Sequence, residues 1–504
     1  MESSEQPAEN SPNWWRPFCL AAGPVFAAVA FAATGDVLPD PARKVLFVTV
    51  WTAIWWATEP IPIPATSLLP AILFPLLRIC EAKTAAQYYA HPLILLLLGG
   101  FFIARAVEIW GLHKRIALTV ISWLGESPRQ LVFGFVASAA LLSMWISNTA
   151  TTLMLLPIAL SVVHRLRQTL QPAEVQRFTT CLLLGIAYGA NVGGTGTLIG
   201  TPPNLIFADK LSVWPSGAPV DFLSWMKFGV PLVVLFVPLI ALLLTRVLIP
   251  VPSIKSSAGR DVIRQERAAL GPLDRAEWRV LIVFCITAAL WIFRGNAQMF
   301  GWSQILIALD WFSPEELHKY VGDWMVALVM ALVLFVVPSG ERERRPLLVW
   351  DDVQEVPWGM LFLFGGGFAI AGGFKTSGLS QWLGDEMGSV AAMAPDALIP
   401  LVALMVTFLT ELTSNTASTA MLMPILHSAA EGAGRAPFLV MLPAIMAVSF
   451  AFMLPVATAP NAIVFGTGRI PILTMIRTGF VFNLVGVLVI WFVVRVIALP
   501  WFGV

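Results

Sequence analysis

The residues best able to do chemistry in this chain are two matching runs of small hydroxyl and amide side chains set in apolar sequence. Ser147-Asn148-Thr149-Ala150-Thr151-Thr152-Leu153-Met154-Leu155-Leu156-Pro157 is answered by Ser414-Asn415-Thr416-Ala417-Ser418-Thr419-Ala420-Met421-Leu422-Met423-Pro424, with the proline at the same offset. Ser, Asn and Thr compete for the backbone's hydrogen bonds and are poor helix formers, so each run should unwind the helix that carries it. An unwound helix offers N–H groups and a positive dipole end to an anion, and carbonyl oxygens to a cation. A single Ser-Asn-Thr in a membrane helix reads first as interhelical hydrogen bonding. Two copies, each followed by the proline and preceded by a glycine cluster, point to a site instead.

The flanking sequence repeats as well. Leu96-Leu97-Leu98-Gly99-Gly100-Phe101 precedes the first run, as Phe364-Gly365-Gly366-Gly367-Phe368 precedes the second. Downstream, Thr201-Pro202-Pro203-Asn204 is matched by Thr458-Ala459-Pro460-Asn461, and Trp225-Met226-Lys227-Phe228-Gly229 more loosely by Met475-Ile476-Arg477-Thr478-Gly479. Four landmarks in one order define an internal duplication. Gly193-Gly194-Thr195-Gly196-Thr197 and Val456-Ala457-Thr458-Ala459-Pro460-Asn461 supply irregular backbone to accompany each Ser-Asn-Thr. The resemblance of Gly194-Thr195-Gly196 and Gly200 to a dinucleotide loop fails, since the last glycine is one residue late and no βαβ unit surrounds it.

The elements that hold these runs follow from composition. Of 504 residues 58% are hydrophobic and only 12% charged, which describes a polytopic membrane protein and not a soluble one. The net charge of +1 excludes a basic field for nucleic acid. His91, His113, His164, His318 and His427 are never at ligand spacing, and Cys19, Cys80, Cys181 and Cys285 form no CxxC, so neither pattern predicts a metal centre. Spans of about 20 apolar residues fall near 17–35, 45–58, 62–79, 131–163, 178–206, 222–249, 279–297, 322–339, 395–429, 437–466 and 476–498. The expected fold is therefore all-α, with about eleven transmembrane helices. The stretches 92–124 and 357–384, interrupted by Gly99-Gly100 and by Gly365-Gly366-Gly367 with Gly372-Gly373, read as two re-entrant hairpins.

Basic residues gather at 164–177, from Lys255 to Arg279, and at Arg342, Arg344 and Arg345. Two crossings separate successive clusters, so all lie on one side, which the positive-inside rule makes cytoplasmic. The N-terminus, whose polar start MESSEQPAENSP lacks a signal peptide's basic region, is then inside and the C-terminus outside. Five crossings between the hairpins set the halves upside down relative to each other. Inverted-topology repeats of this kind belong to secondary transporters, whose sites lie near mid-membrane at the repeat interface. Lys227, Arg294 and Lys375 are expected to snorkel or pair.

The paired Ser-Asn-Thr runs, Thr58-Glu59-Pro60-Ile61-Pro62 ahead of Leu69-Pro70, Ser143-Met144-Trp145-Ile146 and the Pro455–Ala462 stretch resemble the divalent anion:sodium symporter family of sodium-coupled dicarboxylate, citrate and sulfate carriers. The resemblance covers essentially everything after residue 17. It implies a homodimer working by an elevator movement, with a bacterial inner (plasma) membrane as the expected location. The expected organisation is a tail (1–16), scaffold helices (17–91), the first half of a transport domain (92–221), scaffold (222–356, with cytoplasmic loop 250–279), the second transport half (357–471) and a last scaffold helix (472–504).

By the same resemblance Ser147, Asn148, Thr149, Ser414, Asn415 and Thr416 contact the substrate carboxylates, assisted by Thr197 and Thr458. One sodium ion is expected at Ser143, Ser147, Asn148 and Gly196, the other at Thr410, Ser414, Asn415 and Ala457. Ala459, where a second proline would match Pro202-Pro203, departs from the repeat at the second sodium site. The function implied is sodium-coupled transport of a C4 dicarboxylate such as succinate, malate or fumarate. A sodium-independent dicarboxylate exchanger and a citrate or sulfate carrier are alternatives within the family. A membrane-embedded enzyme, the alternative from another class, would need clustered acids, bases or nucleophiles that the apolar spans do not display.

Overall fold

The structure, a computed structural model, describes residues 15–124, 127–167, 170–210, 220–252, 257–295, 301–313, 316–340, 345–391 and 393–502. The N-terminal MESSEQPAENSP stretch, Lys255, Arg342 and Arg344 lie outside them. The described chain is helical, without a strand. The helices used below are α1 (Trp15–Ala33), α2 (Asp40–Thr58), α3 (Leu69–Leu76), α4 (Pro92–Ile109), α5 (Leu112–Leu124), α6 (Pro128–Ser143), α7 (Asn148–Leu166), α8 (Pro172–Gly193) and α9 (Pro203–Lys210). They continue as α10 (Phe222–Leu242), α11 (Ser257–Ala269), α12 (Arg275–Ile292), α13 (Asp323–Val336), α14 (Trp358–Ser377) and α15 (Leu379–Ala391). The last are α16 (Pro395–Thr410), α17 (Asn415–Gly432), α18 (Phe438–Val448), α19 (Ala459–Gly466) and α20 (Ile472–Phe492). Six described helices are long and apolar enough to cross a membrane, and five shorter apolar ones accompany them.

The chain divides into two units, one of residues up to 94 with 357–393 and 416–441, the other of 95–356, 394–415 and 442–504. In the first, α14 is buried along much of its length. A Cβ on Gly365 would fall 2.1 Å from the Tyr89 ring, and one on Gly366 would fall 2.6 Å from the Ser67 carbonyl oxygen. Tyr89 in turn donates to that carbonyl at 2.6 Å. In the second, Gly185, Gly189 and Gly193 form a one-face stripe at four-residue spacing on α8. A Cβ on Gly189 would sit 2.6 Å from the Val136 carbonyl, and one on Gly193 2.2 Å from that of Ala140. Small residues let membrane helices approach backbone to backbone. The stripe thus seats α6 on α8 and brings the end of α6, where the first Ser-Asn-Thr begins, against the Gly194-Thr195-Gly196 turn.

The two glycine-rich stretches are not hairpin tips, which corrects the reading from sequence. Gly99 and Gly100 lie inside α4, and Gly365, Gly366, Gly367, Gly372 and Gly373 lie inside α14. Their role is close packing, as where a Cβ on Gly99 would meet Ala327 at 2.6 Å. The chain turns at Gly111 and Gly378, both in the left-handed region with φ of 67° and 82°. α6 and α7 also fold back on each other as a helical hairpin. A Cβ on Gly259 of α11 would lie 2.5 Å from Leu131, near the start of α6, and 3.7 Å from Val162, near the end of α7, so both arms return to one place. Ser-Asn-Thr is at the tip.

Arg294 is paired, as expected. Its guanidinium lies 3.0 Å from Asp323 and 3.5 Å from Asp221, while Asp323 accepts the Phe222 N–H at 2.9 Å. This buried ionic cluster joins the ends of α10, α12 and α13.

Candidate substrate and sodium site

Each Ser-Asn-Thr sits where one helix stops and the next begins. α6 ends at Ser143 and α7 starts at Asn148; α16 ends at Thr410 and α17 starts at Asn415. The breaks are therefore real, and the residues flanking them repeat the same bond. Ser143 donates to Asn148 Oδ1 at 2.6 Å, and Thr410 donates to Asn415 Oδ1 at 2.6 Å. Both hydroxyls are fully buried. Ser147 caps α7 by accepting the Ala150 N–H at 3.2 Å. Ser147 and Thr149 are exposed at the tip, and Asn148 is half-buried.

A second pair of asparagines braces the irregular backbone opposite. Asn204 Nδ2 donates to the carbonyls of Gly194 at 2.9 Å and Thr197 at 2.7 Å, ten and seven residues earlier. Asn461 Nδ2 donates to Ala451 and Leu454, both at 3.0 Å and again ten and seven residues earlier. The halves are tied together by Asn191, whose Nδ2 donates to Thr458 Oγ1 at 3.1 Å and to Asn461 Oδ1 at 3.3 Å. This bonding sets the register of the repeat. Thr201 is the counterpart of Thr458 and Gly200 that of Ala457, while Thr197 corresponds to Leu454. Thr197 is fully buried, donating to the Met144 carbonyl and accepting the Gly200 N–H at 3.1 Å, whereas Thr458 caps α19 by accepting from Asn461 N at 3.3 Å.

The oxygen content of these places suits a hard cation. A Cβ on Gly200 would fall 2.6 Å from the Gly194 carbonyl and 3.0 Å from those of Ser143 and Met144, and one on Gly194 would fall 2.9 Å from Asn148 Oδ1. Backbone and amide oxygens thus converge around two glycines. The Gly196 carbonyl borders α10 instead, 3.0 Å from where a Gly229 Cβ would stand. In the second half Thr410 Oγ1 lies 2.6 Å from Asn415 Oδ1 and 3.0 Å from the Val448 carbonyl. One hydroxyl proton serves two oxygen acceptors there. Of the other expected residues, Ser414 is half-buried and Ala457 and Thr416 are buried.

Reasoning from sequence missed Glu411. This residue is 3% exposed. Its carboxylate accepts the backbone N–H groups of Phe452 at 2.7 Å, Met453 at 2.9 Å and Leu454 at 3.0 Å, and Asn483 Nδ2 at 2.8 Å. It therefore holds the very loop that precedes Ala457 and Thr458. The signal was present in the sequence, because an acid within the apolar stretch 395–429 is a functional candidate by default. Tyr188, whose hydroxyl donates to the Phe452 carbonyl at 2.9 Å, fixes the same loop from the other side.

The fold and these duplicated oxygen clusters define a polytopic helical membrane protein with a two-fold internal repeat. The chain belongs to the family of the sodium:sulfate symporter transmembrane region, whose profile matches residues 11–502. Among similar proteins, the sodium-dependent dicarboxylate transporter SdcS of Staphylococcus saprophyticus is 37% identical over 491 residues, covering 96% of this chain and 92% of that one. SdcS of Staphylococcus aureus is 38% identical over 462 residues, covering 91% of this chain and 86% of that protein. The crystal structure of the Alcanivorax borkumensis YdaH transporter shares the fold, with TM-score 0.56 and 14% identity over 92% of this chain and 99% of that chain.

Proposed function

We propose that the protein is a secondary active carrier that moves a C4 dicarboxylate of the succinate, malate and fumarate class across the membrane together with sodium ions. The observation that carries this is the duplicated hydroxyl-to-asparagine bond, 2.6 Å in both halves, at two helix starts. Support comes from the SdcS relatives, sodium-dependent dicarboxylate transporters by name. Ser147, Asn148 and Thr149 bind one substrate carboxylate, and Ser414, Asn415 and Thr416 the other, assisted by Thr197 and Thr458. Ser143, Ser147, Asn148 and Gly196 hold one sodium ion, with the Met144 and Gly194 carbonyls beside them. Thr410, Ser414, Asn415 and Ala457 hold the second. No lysine or arginine stands in either Ser-Asn-Thr run, so sodium and helix starts answer the substrate's charge.

The carrier works as a homodimer in the plasma membrane, by an elevator movement of a transport domain against a scaffold. Contacts within the second unit extend the moving part expected from sequence. Trp225 of α10 donates to the Thr195 carbonyl at 2.8 Å and Asn483 of α20 donates to Glu411, so α10 and α20 travel with the site. Uptake of radiolabelled succinate into proteoliposomes, with competing citrate and sulfate, tests the reading. An inward sodium gradient should drive accumulation and its collapse should abolish it. Uptake that ignores sodium and needs dicarboxylate inside would make the protein an exchanger.

A further inference from the structure

A cavity of about 380 Å³ opens at the far ends of the site helices, lined by Arg167, Leu170, Pro172, Val175, Gln176, Thr179 and Arg469. Arg167 stands at the C-terminal cap of α7. Pro172, Val175, Gln176 and Thr179 come from the first two turns of α8. Arg469 follows Gly468, whose φ of 67° turns the chain after α19. Gln176 Nε2 donates to the Arg469 carbonyl at 2.9 Å and so fixes the backbone that presents this arginine. The cavity is therefore lined by one arginine from each half of the repeat.

No acid lines it. Glu174, the nearest acid along the chain, accepts the Gln171 N–H at 3.1 Å in a capping box. Among the described residues neither Arg167 nor Arg469 has a carboxylate partner. Two arginines lining one cavity without a carboxylate partner suit the oxygens of a tetrahedral phosphate, each guanidinium being able to give two parallel N–H bonds. The cavity is large enough for one. It also lies in the basic stretch 164–177 that the positive-inside rule assigns to the cytoplasmic face, where phosphate oxygens are supplied both in solution and by anionic headgroups.

We propose that this cavity is a phosphate-type oxyanion site that clamps the ends of α7 and α8 to the loop after α19, apart from the substrate site. The bound oxyanion joins the two halves at their outer ends, as Asn191 joins them at the centre. The proposal does not depend on which substrate is carried.

The test is thermal unfolding of the purified full chain without sodium or dicarboxylate. One arm adds inorganic phosphate against chloride at constant ionic strength; the other compares phosphatidylcholine bilayers with and without phosphatidylglycerol. The midpoint should rise saturably in at least one arm, which also tells free phosphate from headgroup. The rise should vanish in the Arg167→Ala, Arg469→Ala double variant and persist in Arg177→Ala, an exposed arginine outside the cavity. Single Arg167→Gln and Arg469→Gln variants, which keep the side-chain length should the double variant fold poorly, should each weaken apparent affinity roughly tenfold. No saturable rise in either arm, or the same rise in the arginine variants, would overturn the proposal.

Discussion

The two halves of the candidate site share their hydroxyl and amide groups and differ in what supports them. Ser143–Asn148 and Thr410–Asn415 repeat one bond, and Asn204 and Asn461 repeat one brace. The register then places Met144 opposite Glu411. In the first half the Met144 carbonyl accepts from Thr197, and oxygens crowd around Gly200. In the second half Ala457 occupies the position of Gly200, and the adjacent loop hangs on the Glu411 carboxylate through three consecutive N–H groups. Duplication has preserved the groups that would touch the cargo, while the support has diverged. One half is built on close backbone packing, the other on a buried charge.

The largest effects should come where the halves agree. Asn148→Ala and Asn415→Ala should each reduce succinate uptake to background in a folded protein, since each removes an amide proposed to serve both carboxylate and cation. Substantial uptake by either variant would show that the halves are not equivalent in binding. Next comes the divergent pair. Glu411→Gln puts an NH₂ among N–H donors and leaves at least one unsatisfied, and should destabilise by about 3 kcal/mol. Met144→Leu, at the mirror position, should cost less than about 1.5 kcal/mol. Equal shifts in melting midpoint would mean that the halves are supported alike.

Gly200→Ala should be intermediate in stability but specific in function. Its methyl would enter the three-carbonyl cradle, and the half-saturating sodium concentration should rise about tenfold, in line with 1–3 kcal/mol of overpacking. Ala457→Gly, at the matching position that already carries a methyl, should change sodium dependence less than about threefold. A sodium titration of uptake in both variants checks the contrast. The smallest effect concerns citrate. Two carboxylate-binding ends leave a third carboxylate without a partner, so the doubly charged form should bind best. Citrate inhibition should therefore strengthen as pH falls from about 7.5 to about 5.5, while succinate uptake stays level over most of that range. Inhibition that is flat or stronger in alkali would reveal an additional counter-charge.

Much of this was legible in the sequence because the repeat was. The two Ser-Asn-Thr runs and the Thr-Pro-Asn landmarks located both helix breaks, and composition alone set an all-helical membrane fold. The turns within 92–124 and 357–384 were misplaced because glycine was read as a breaker. In a membrane helix it also serves as a packing surface, as Gly365 does against Tyr89. Length carried the better clue: an apolar stretch from 131 to 163 is far longer than the roughly 20 residues of one crossing, and a hairpin accounts for it. Thr201 was already aligned with Thr458 by the Thr-Pro-Pro-Asn and Thr-Ala-Pro-Asn landmarks, and the Asn204 and Asn461 bonds repeat that register, which pairs Thr197 with Leu454. Glu411 was passed over because its partners, Phe452 to Leu454 and Asn483, are distant in sequence and offer backbone and amide groups that no charge pattern reveals.

The central claim is that sodium and substrate bind jointly at the two Ser-Asn-Thr breaks, and linkage makes it directly measurable. Succinate binding to the purified protein, followed by calorimetry as choline is replaced by sodium at constant ionic strength, should tighten progressively with sodium concentration. An equal affinity for succinate in choline and in sodium would contradict the account.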